Sequence, residues 1–144
     1  MFFKKKILSV SDEARLIKAI QLAELKTSGE VRILLEKTIK GDALDECKKK
    51  FTELNMHQTK DRNGILFYLA INSKSFAVWG DEGIHQKVSD EFWKSITDCA
   101  IGYFKQNDLI TGIEKSVELC GEKLKIHFPL QTDDKNELSN DISY

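Results

Sequence analysis

Residues 61–83 have the sequence DRNGILFYLAINSKSFAVWGDEG, in which a short polar turn joins two apolar runs. Ile65–Ile71 is apolar throughout, Asn72–Lys74 is polar, and Ser75–Trp79 is mostly apolar again. Two such runs around a short polar connection predict a β-hairpin. Because a hairpin returns the chain to the edge where it began, the residues before its first strand should lie beside those after its second.

The chain before this hairpin predicts a βαβ unit. Glu30–Glu36 is rich in β-branched and aliphatic residues, and Asp42 is placed to cap a following helix. A continuous apolar strand such as Ile65–Ile71 is typical of a sheet that is covered on both faces. We therefore expect an α/β fold, a three-layer sandwich with a central mixed sheet and helices on both faces. Its first two strands should be parallel with a right-handed crossover, and its third antiparallel.

Two helices in the first third of the chain have predictable limits. The first should begin after Ser9 or Ser11 and end at Thr27–Gly29, where Gly29 is a natural residue to follow a helix. The second follows Asp42 and should end at Asn55. Its expected apolar face consists of Leu44, Cys47, Phe51 and Leu54.

The length of 144 residues and the 41% hydrophobic content fit one domain with a buried core. Two helices are predicted after the hairpin, the first beginning at Ser89 and the second ended by Pro129. Residues 131–144 are acidic and show no periodicity, so we expect an extended or disordered tail whose removal leaves stability nearly unchanged. We expect one domain over residues 1–129 and an acidic C-terminal tail over residues 130–144. In the alternative, the tail packs back on the domain through Leu130, Leu138, Ile142 and Tyr144.

Charge and hydropathy exclude several functional classes. The net charge of −1 gives no overall attraction to nucleic acid or to an anionic membrane surface. The apolar stretch near the basic start is shorter than the ~7–15 residues of a signal sequence, and no segment approaches the ~20 apolar residues of a membrane span. We therefore expect a cytoplasmic, soluble protein that binds no nucleic acid and does not insert in a membrane.

Several catalytic and ligand-binding classes also lack their residues. No phosphate-binding glycine loop, dinucleotide fingerprint or serine nucleophile elbow is present. The three cysteines form no CxxC pair and fall at apolar helical positions, which is typical of buried, reduced thiols. The three histidines, His57, His85 and His127, lack the spacing of zinc ligands.

Carboxylates should converge at one edge of the predicted sheet. Asp61 and Asn63 precede the first hairpin strand, whereas Asp81 and Glu82 follow the second. Parallel pairing brings Glu30, at the start of the preceding strand, to the same edge. Hard divalent cations prefer oxygen ligands, and clustered carboxylates repel one another unless a positive charge neutralises them. These five residues are therefore candidate ligands of Ca²⁺ or Mg²⁺.

Two alternatives remain open from the residues themselves. Asp61 and Asn63 are also suited to solvated Asx-turns before Gly64, in which case Arg62 and Arg32 are the local bases that balance the acidic residues. The opposite edge offers a helix N-terminus to a phosphate, although Asp42 would repel it. The residues there are Thr38, Lys40, Gly41 and Asp42.

Short segments in a specific order resemble the TPM-domain family. They are TSGE at 27–30, DRNG at 61–64, GDEGI at 80–84, SDEFW at 89–93, and Phe104 with Asn107–Asp108 and Gly112–Ile113. The resemblance covers about residues 10–128 and implies an α/β sandwich. Some members of the family bind calcium or magnesium, which implies Asp61, Asp81 and Glu82 as metal ligands with Glu30 and Asn63 behind them.

The sequence thus predicts a soluble domain that binds Ca²⁺ or Mg²⁺ in loops at one sheet edge. The family also carries a phosphatase label, so a metal-dependent phosphatase acting on small phosphate esters is one alternative. An interaction module without catalysis is the other. The sequence indicates no catalytic residues and no particular protein partner.

Overall fold

A computed structural model describes residues 7–131 and 136–144 and confirms the α/β sandwich. No helix in these ranges has both the length and the apolar composition needed to cross a membrane. The elements, in chain order, are α1 Val10–Glu24, β1 Glu30–Glu36, α2 Ala43–Glu53, β2 Gly64–Ala70, β3 Ser75–Gly80, α3 Glu82–His85, α4 Asp90–Phe104 and α5 Leu109–His127.

The mixed sheet has the predicted pairing, in the order β1-β2-β3. β1 and β2 are parallel, with Glu30 opposite Gly64. β2 and β3 are antiparallel, with Ile65 opposite Gly80. The hairpin and the parallel pair are therefore confirmed.

Two apolar layers cover the sheet because successive side chains of a strand point to opposite faces. Phe67 of β2 packs into the larger layer with α1, α4 and α5, whereas Leu66 and Tyr68 pack into the smaller layer with α2. Every residue of β2 is buried, which explains why its sequence shows no polar alternation.

The first helix begins as predicted but ends earlier. The backbone N–H of Asp12 donates to the Ser9 hydroxyl at 3.1 Å, so Ser9 is the cap. The helix stops at Glu24 rather than at Gly29. Thr27 donates its hydroxyl to the carbonyl of Phe128 at 2.5 Å, and this contact with the end of α5 directs the chain into β1. The predicted end was therefore wrong, and the turn after the helix is held by a long-range hydrogen bond.

Helix α2 packs on the sheet through fewer residues than its sequence pattern predicts. Cys47 and Phe51 are buried, but Leu44 is 38% exposed. The helix contacts β2 and β3 through its central turns, so its first turn lies beside solvent. The placement of Leu44 in the core is therefore wrong. The short helix α3, directly after β3, was not predicted.

Residues 136–144, called the C-terminal segment below, lie along the outer edge of β1. The backbone of Ser143 forms two hydrogen bonds with β1, donating to Ile33 and accepting from Leu35, each at 2.9 Å. The side chain of Ile142 is only 8% exposed and belongs to the larger apolar layer. The segment is thus extended, as expected, but it packs on the domain. Residues 132–135 lie outside the described ranges, and the division at residue 129 stays a prediction.

Candidate functional site

The predicted acidic edge exists because of the strand pairing. The amino ends of β1 and β2 meet the carboxyl end of β3 at this edge. The backbone N–H of Asp81 donates to Gly64 at 2.9 Å, and that of Gly83 donates to Arg62 at 3.0 Å. The loop before β2 therefore lies directly against the loop after β3.

Asp81 is buried and paired with Arg62. Arg62 Nε and Nη2 donate to the two carboxylate oxygens of Asp81 at 2.7 and 2.9 Å. The Asp81 side chain is 6% exposed, whereas that of Arg62 is 41% exposed. One oxygen of Asp81 also accepts the backbone N–H of Glu82 at 2.8 Å at the start of α3. Bidentate arginine–carboxylate contacts are strong and directional, so Asp81 holds the two loops together.

The same guanidinium also contacts Glu82. Arg62 Nη1 lies 3.2 Å from Glu82 Oε1, and the Glu82 side chain is 61% exposed. The hydrogen bond that Arg62 donates to Asp81 is the largest cause that raises the pKa of Arg62, and the charges of Asp81 and Glu82 add to it. Arg62 adopts a φ of 50°, a backbone conformation that is uncommon for residues other than glycine. A positive charge thus lies between a buried carboxylate and an exposed one.

Gly83 allows the two loops to approach this closely. A Cβ atom at this position would overlap the carbonyl oxygens of both Asp61 and Arg62. The side chain of Asp61 is exposed on the outer side of the same loop. Asp61, Asp81 and Glu82 therefore belong to two loops with a fixed contact, as the sequence predicted.

Glu30 and Asn63 have a different environment from these three residues. Glu30 is buried, and its Oε1 accepts the backbone N–H groups of Glu137 and Leu138 at 2.5 and 2.7 Å. Asn63 is also buried, and its side-chain amide donates to the carbonyl of Ser28 at 3.2 Å. Both residues therefore hold the backbone around the edge in place.

Glu137 is an acidic residue of this edge that the sequence analysis missed. Its carboxylate accepts the backbone N–H of Lys60 at 3.2 Å, beside Asp61. The only sequence signal was the acidic character of the C-terminal residues. Within residues 7–131 and 136–144, no three aspartate, glutamate, histidine or cysteine side chains are arranged together as a group that could hold a metal ion.

A group of aromatic rings lies next to the acidic edge. His85, the last residue of α3, contacts two tryptophans. The centroid of its ring lies 4.5 Å from that of Trp79 and 4.9 Å from that of Trp93. The ammonium group of Lys48 lies 4.5 Å from the centroid of Trp79. Trp79 lies in β3 and Trp93 in α4, and their shared contact with a histidine was not predicted.

Other candidate groups have structural roles. Asp42 accepts the backbone N–H of Asp45 at 3.1 Å and so caps α2 at the opposite edge of the sheet. Burial raises the pKa of the Cys47 thiol to about 12 and also raises that of Cys120. Neither thiol is a thiolate near neutral pH, which disfavours both as nucleophiles.

Comparisons with known proteins agree with this architecture. The BA42 protein from the psychrophilic bacterium Bizionia argentinensis, solved by NMR, is 38% identical with a TM-score of 0.91, and the match covers 99% of each chain. The N-terminal domain of a protein from P. gingivalis is 18% identical, with a TM-score of 0.68 over 85% of this chain and 79% of that one. The N-terminal domain of cg2496 from Corynebacterium glutamicum is 14% identical, with a TM-score of 0.66 over 82% and 74%. The last two show the fold alone.

A search of curated proteins finds no match. The family profile of the TPM domain, by contrast, matches residues 2–123, which is most of the chain. The match includes β1, the βαβ crossover, the hairpin and the loops that carry Arg62 and Asp81. The chain therefore belongs to the TPM-domain family.

Proposed function

We propose that the acidic edge binds a divalent cation, Ca²⁺ or Mg²⁺, in exchange for the guanidinium of Arg62. The observation that supports this proposal is the position of Arg62, whose positive charge lies between the carboxylates of Asp81 and Glu82. Because Arg62 is partly exposed, its side chain has room to turn towards solvent. A doubly charged cation would then neutralise the same carboxylates.

The chemistry of the residues fits such an ion. Asp81, Glu82 and Asp61 supply carboxylate oxygens, which are the ligands that Ca²⁺ and Mg²⁺ prefer. Glu30 and Asn63 would support the loops rather than bind the ion, because their side chains already contact the backbone of other segments. The exposed loops leave room for water ligands, as is common for both ions.

The two alternatives have less support from the described residues. A phosphatase acting on small phosphate esters would use Arg62 to bind phosphate, but three nitrogens of Arg62 already contact Asp81 and Glu82. The buried thiols disfavour a cysteine nucleophile. An interaction module without catalysis and a cytoplasmic location stay predictions.

Thermal unfolding with and without millimolar CaCl₂ or MgCl₂ tests the proposal, together with NMR shifts of residues 61–64 and 80–83. A bound ion should raise Tm, since it stabilises by about 2.7 kcal/mol at a hundredfold excess over Kd. Asp81→Asn should abolish this gain. Arg62→Gln should lower the stability of the metal-free protein, because Asp81 loses its partner, and should increase the gain caused by the ion.

Asp98→Asn is the matched control, because Asp98 pairs with Lys94 on the exposed side of α4. This variant should keep the wild-type response to both ions. If neither ion changes Tm or the amide shifts in the wild type and in Arg62→Gln, the edge does not bind divalent cations. An equal response of Asp81→Asn and the wild type would place the binding elsewhere.

A further inference from the structure

We propose that the outer edge of β1 is a strand-binding site, and that the C-terminal segment is its detachable occupant, released as the Glu24 carboxylate beneath it becomes charged. This proposal does not depend on cation binding. It concerns the side of β1 that faces away from β2, where the segment pairs with the sheet.

The pairing of the segment with β1 is local. β1 and β2 pair over seven consecutive residues, whereas the segment forms a single parallel bridge between Leu34 and Ser143. Its two backbone hydrogen bonds join Ser143 to Ile33 and Leu35. A short parallel contact at a sheet edge is weaker than a full ladder, so this contact can open without unfolding the sheet.

Few side chains hold the segment on the domain. Ile142 enters the larger apolar layer, and Leu138 packs partly against the smaller one. The hydroxyl of Tyr144 donates to the carboxylate of Glu13 on α1. Among the described residues, the other side-chain contacts of the segment with the domain involve the carboxylates of Glu24, Glu30 and Glu137 at their boundary, which makes the docking sensitive to their charge.

Two of these carboxylates lie under the segment. Glu30 accepts the backbone N–H groups of Glu137 and Leu138. Glu24 is partly buried at the end of α1, and the side chain of Asn140 hydrogen-bonds to it. Its other hydrogen bond comes from the backbone N–H of Val31 at 3.0 Å. Within residues 7–131 and 136–144, the groups that face Glu24 are the Glu30 carboxylate, the Asn140 amide and the backbone N–H of Val31.

Burial of Glu24 determines the sign of the pH dependence. Burial raises the pKa of Glu24 from 4.5 to about 7, and the nearby charge of Glu30 raises it further, against the two hydrogen bonds. Release of the segment would admit water and return the pKa towards 4.5. Docking stability is therefore fully present below the pKa of the released state and is lost as the pH rises through about 7. If the pKa of Glu24 returns fully to 4.5 when the segment leaves, docking weakens about tenfold between pH 6 and pH 8.

Amide hydrogen exchange of the whole chain, followed by NMR at pH 6 and pH 8, tests the proposal. The readouts are the protection factors of Leu35 and Ser143, corrected for intrinsic exchange, with the Leu69 amide in β2 as a reference for global unfolding. We expect the protection of Leu35 and Ser143 to fall about tenfold at pH 8, with Leu69 unchanged. Ser143→Pro removes the N–H donor to Ile33 and should lower Leu35 protection at both pH values.

Glu24→Gln should keep the segment docked at pH 8 and abolish the pH dependence. Glu118→Gln, at a charged position on α5 that pairs with Lys115, is the matched control and should retain it. Equal Leu35 protection at both pH values in the wild type would overturn the proposal. So would a pH dependence that persists in Glu24→Gln, a parallel loss of protection at Leu69, or full Leu35 protection in Ser143→Pro.

Discussion

β2 and the C-terminal segment both pair with β1, on opposite sides, but they do so by different means. β2 contributes a run of buried residues that fill both apolar layers. The segment contributes one buried side chain, Ile142, and a single bridge at Ser143. A strand whose own side chains build the core is recognisable in the sequence, whereas a segment that docks mainly through backbone contacts is not. Substitutions at Leu69 and Ile142 test this difference, and a third at Leu44 tests the same contrast between buried and exposed apolar residues on α2.

Leu69→Ala should have the largest effect, because Leu69 is fully buried near the carboxyl end of β2, the central strand of the sheet. Removing its side chain leaves a cavity and should lower the free energy of unfolding by about 2–5 kcal/mol. Urea denaturation measures the change. Leu25→Ala, at an exposed position just after α1, is the control and should have little effect. An unchanged midpoint for Leu69→Ala would contradict the central position of β2.

Ile142→Ala should have a smaller effect, near 2 kcal/mol at the low end of the range for buried aliphatic residues. Ile142 lies at the edge of the sheet, where the segment can yield locally. Ile126→Ala, an exposed isoleucine on α5, is the matched control. The same urea titration distinguishes two expectations: a dispensable tail predicts no change for either variant, whereas the observed docking predicts a loss for Ile142→Ala alone.

Leu44→Ala should have the smallest effect, within about 0.5 kcal/mol, because Leu44 is largely exposed on α2. Leu35→Ala, at a fully buried position of β1, is the positive control. Thermal unfolding of the two variants gives the comparison. A large loss of stability in Leu44→Ala would support the sequence-based expectation that this residue belongs to the buried apolar face of α2.

Much of the fold follows from local patterns in the sequence. The hairpin, the limits of β1 and the parallel pairing could be predicted because apolar periodicity and turn residues determine them locally. The end of α1 could not be predicted in this way. The turn after it is held by the hydrogen bond between Thr27 and Phe128, which are far apart in the chain. The docking of Ile142 is also a long-range contact, made by an apolar residue with polar neighbours on both sides.

The candidate site was predictable in its location but not in its pairing. Strand connectivity alone brings Asp61 and Asp81 to one edge of the sheet. The bidentate contact of Arg62 with Asp81 depends on the left-handed backbone of Arg62 and on the absence of a side chain at Gly83. Sequence composition indicated a basic residue nearby, but it could not show which carboxylate would be buried with it.

The contact of His85 with both Trp79 and Trp93 has a spectroscopic consequence. The chain contains only two tryptophans, and both contact the same imidazole at the end of α3. An imidazole in contact with an indole ring changes the emission of that indole, so the tryptophan fluorescence of the protein reports on the surroundings of His85. This ring is three residues from Glu82, which makes the native emission a label-free optical reporter of events at the acidic edge.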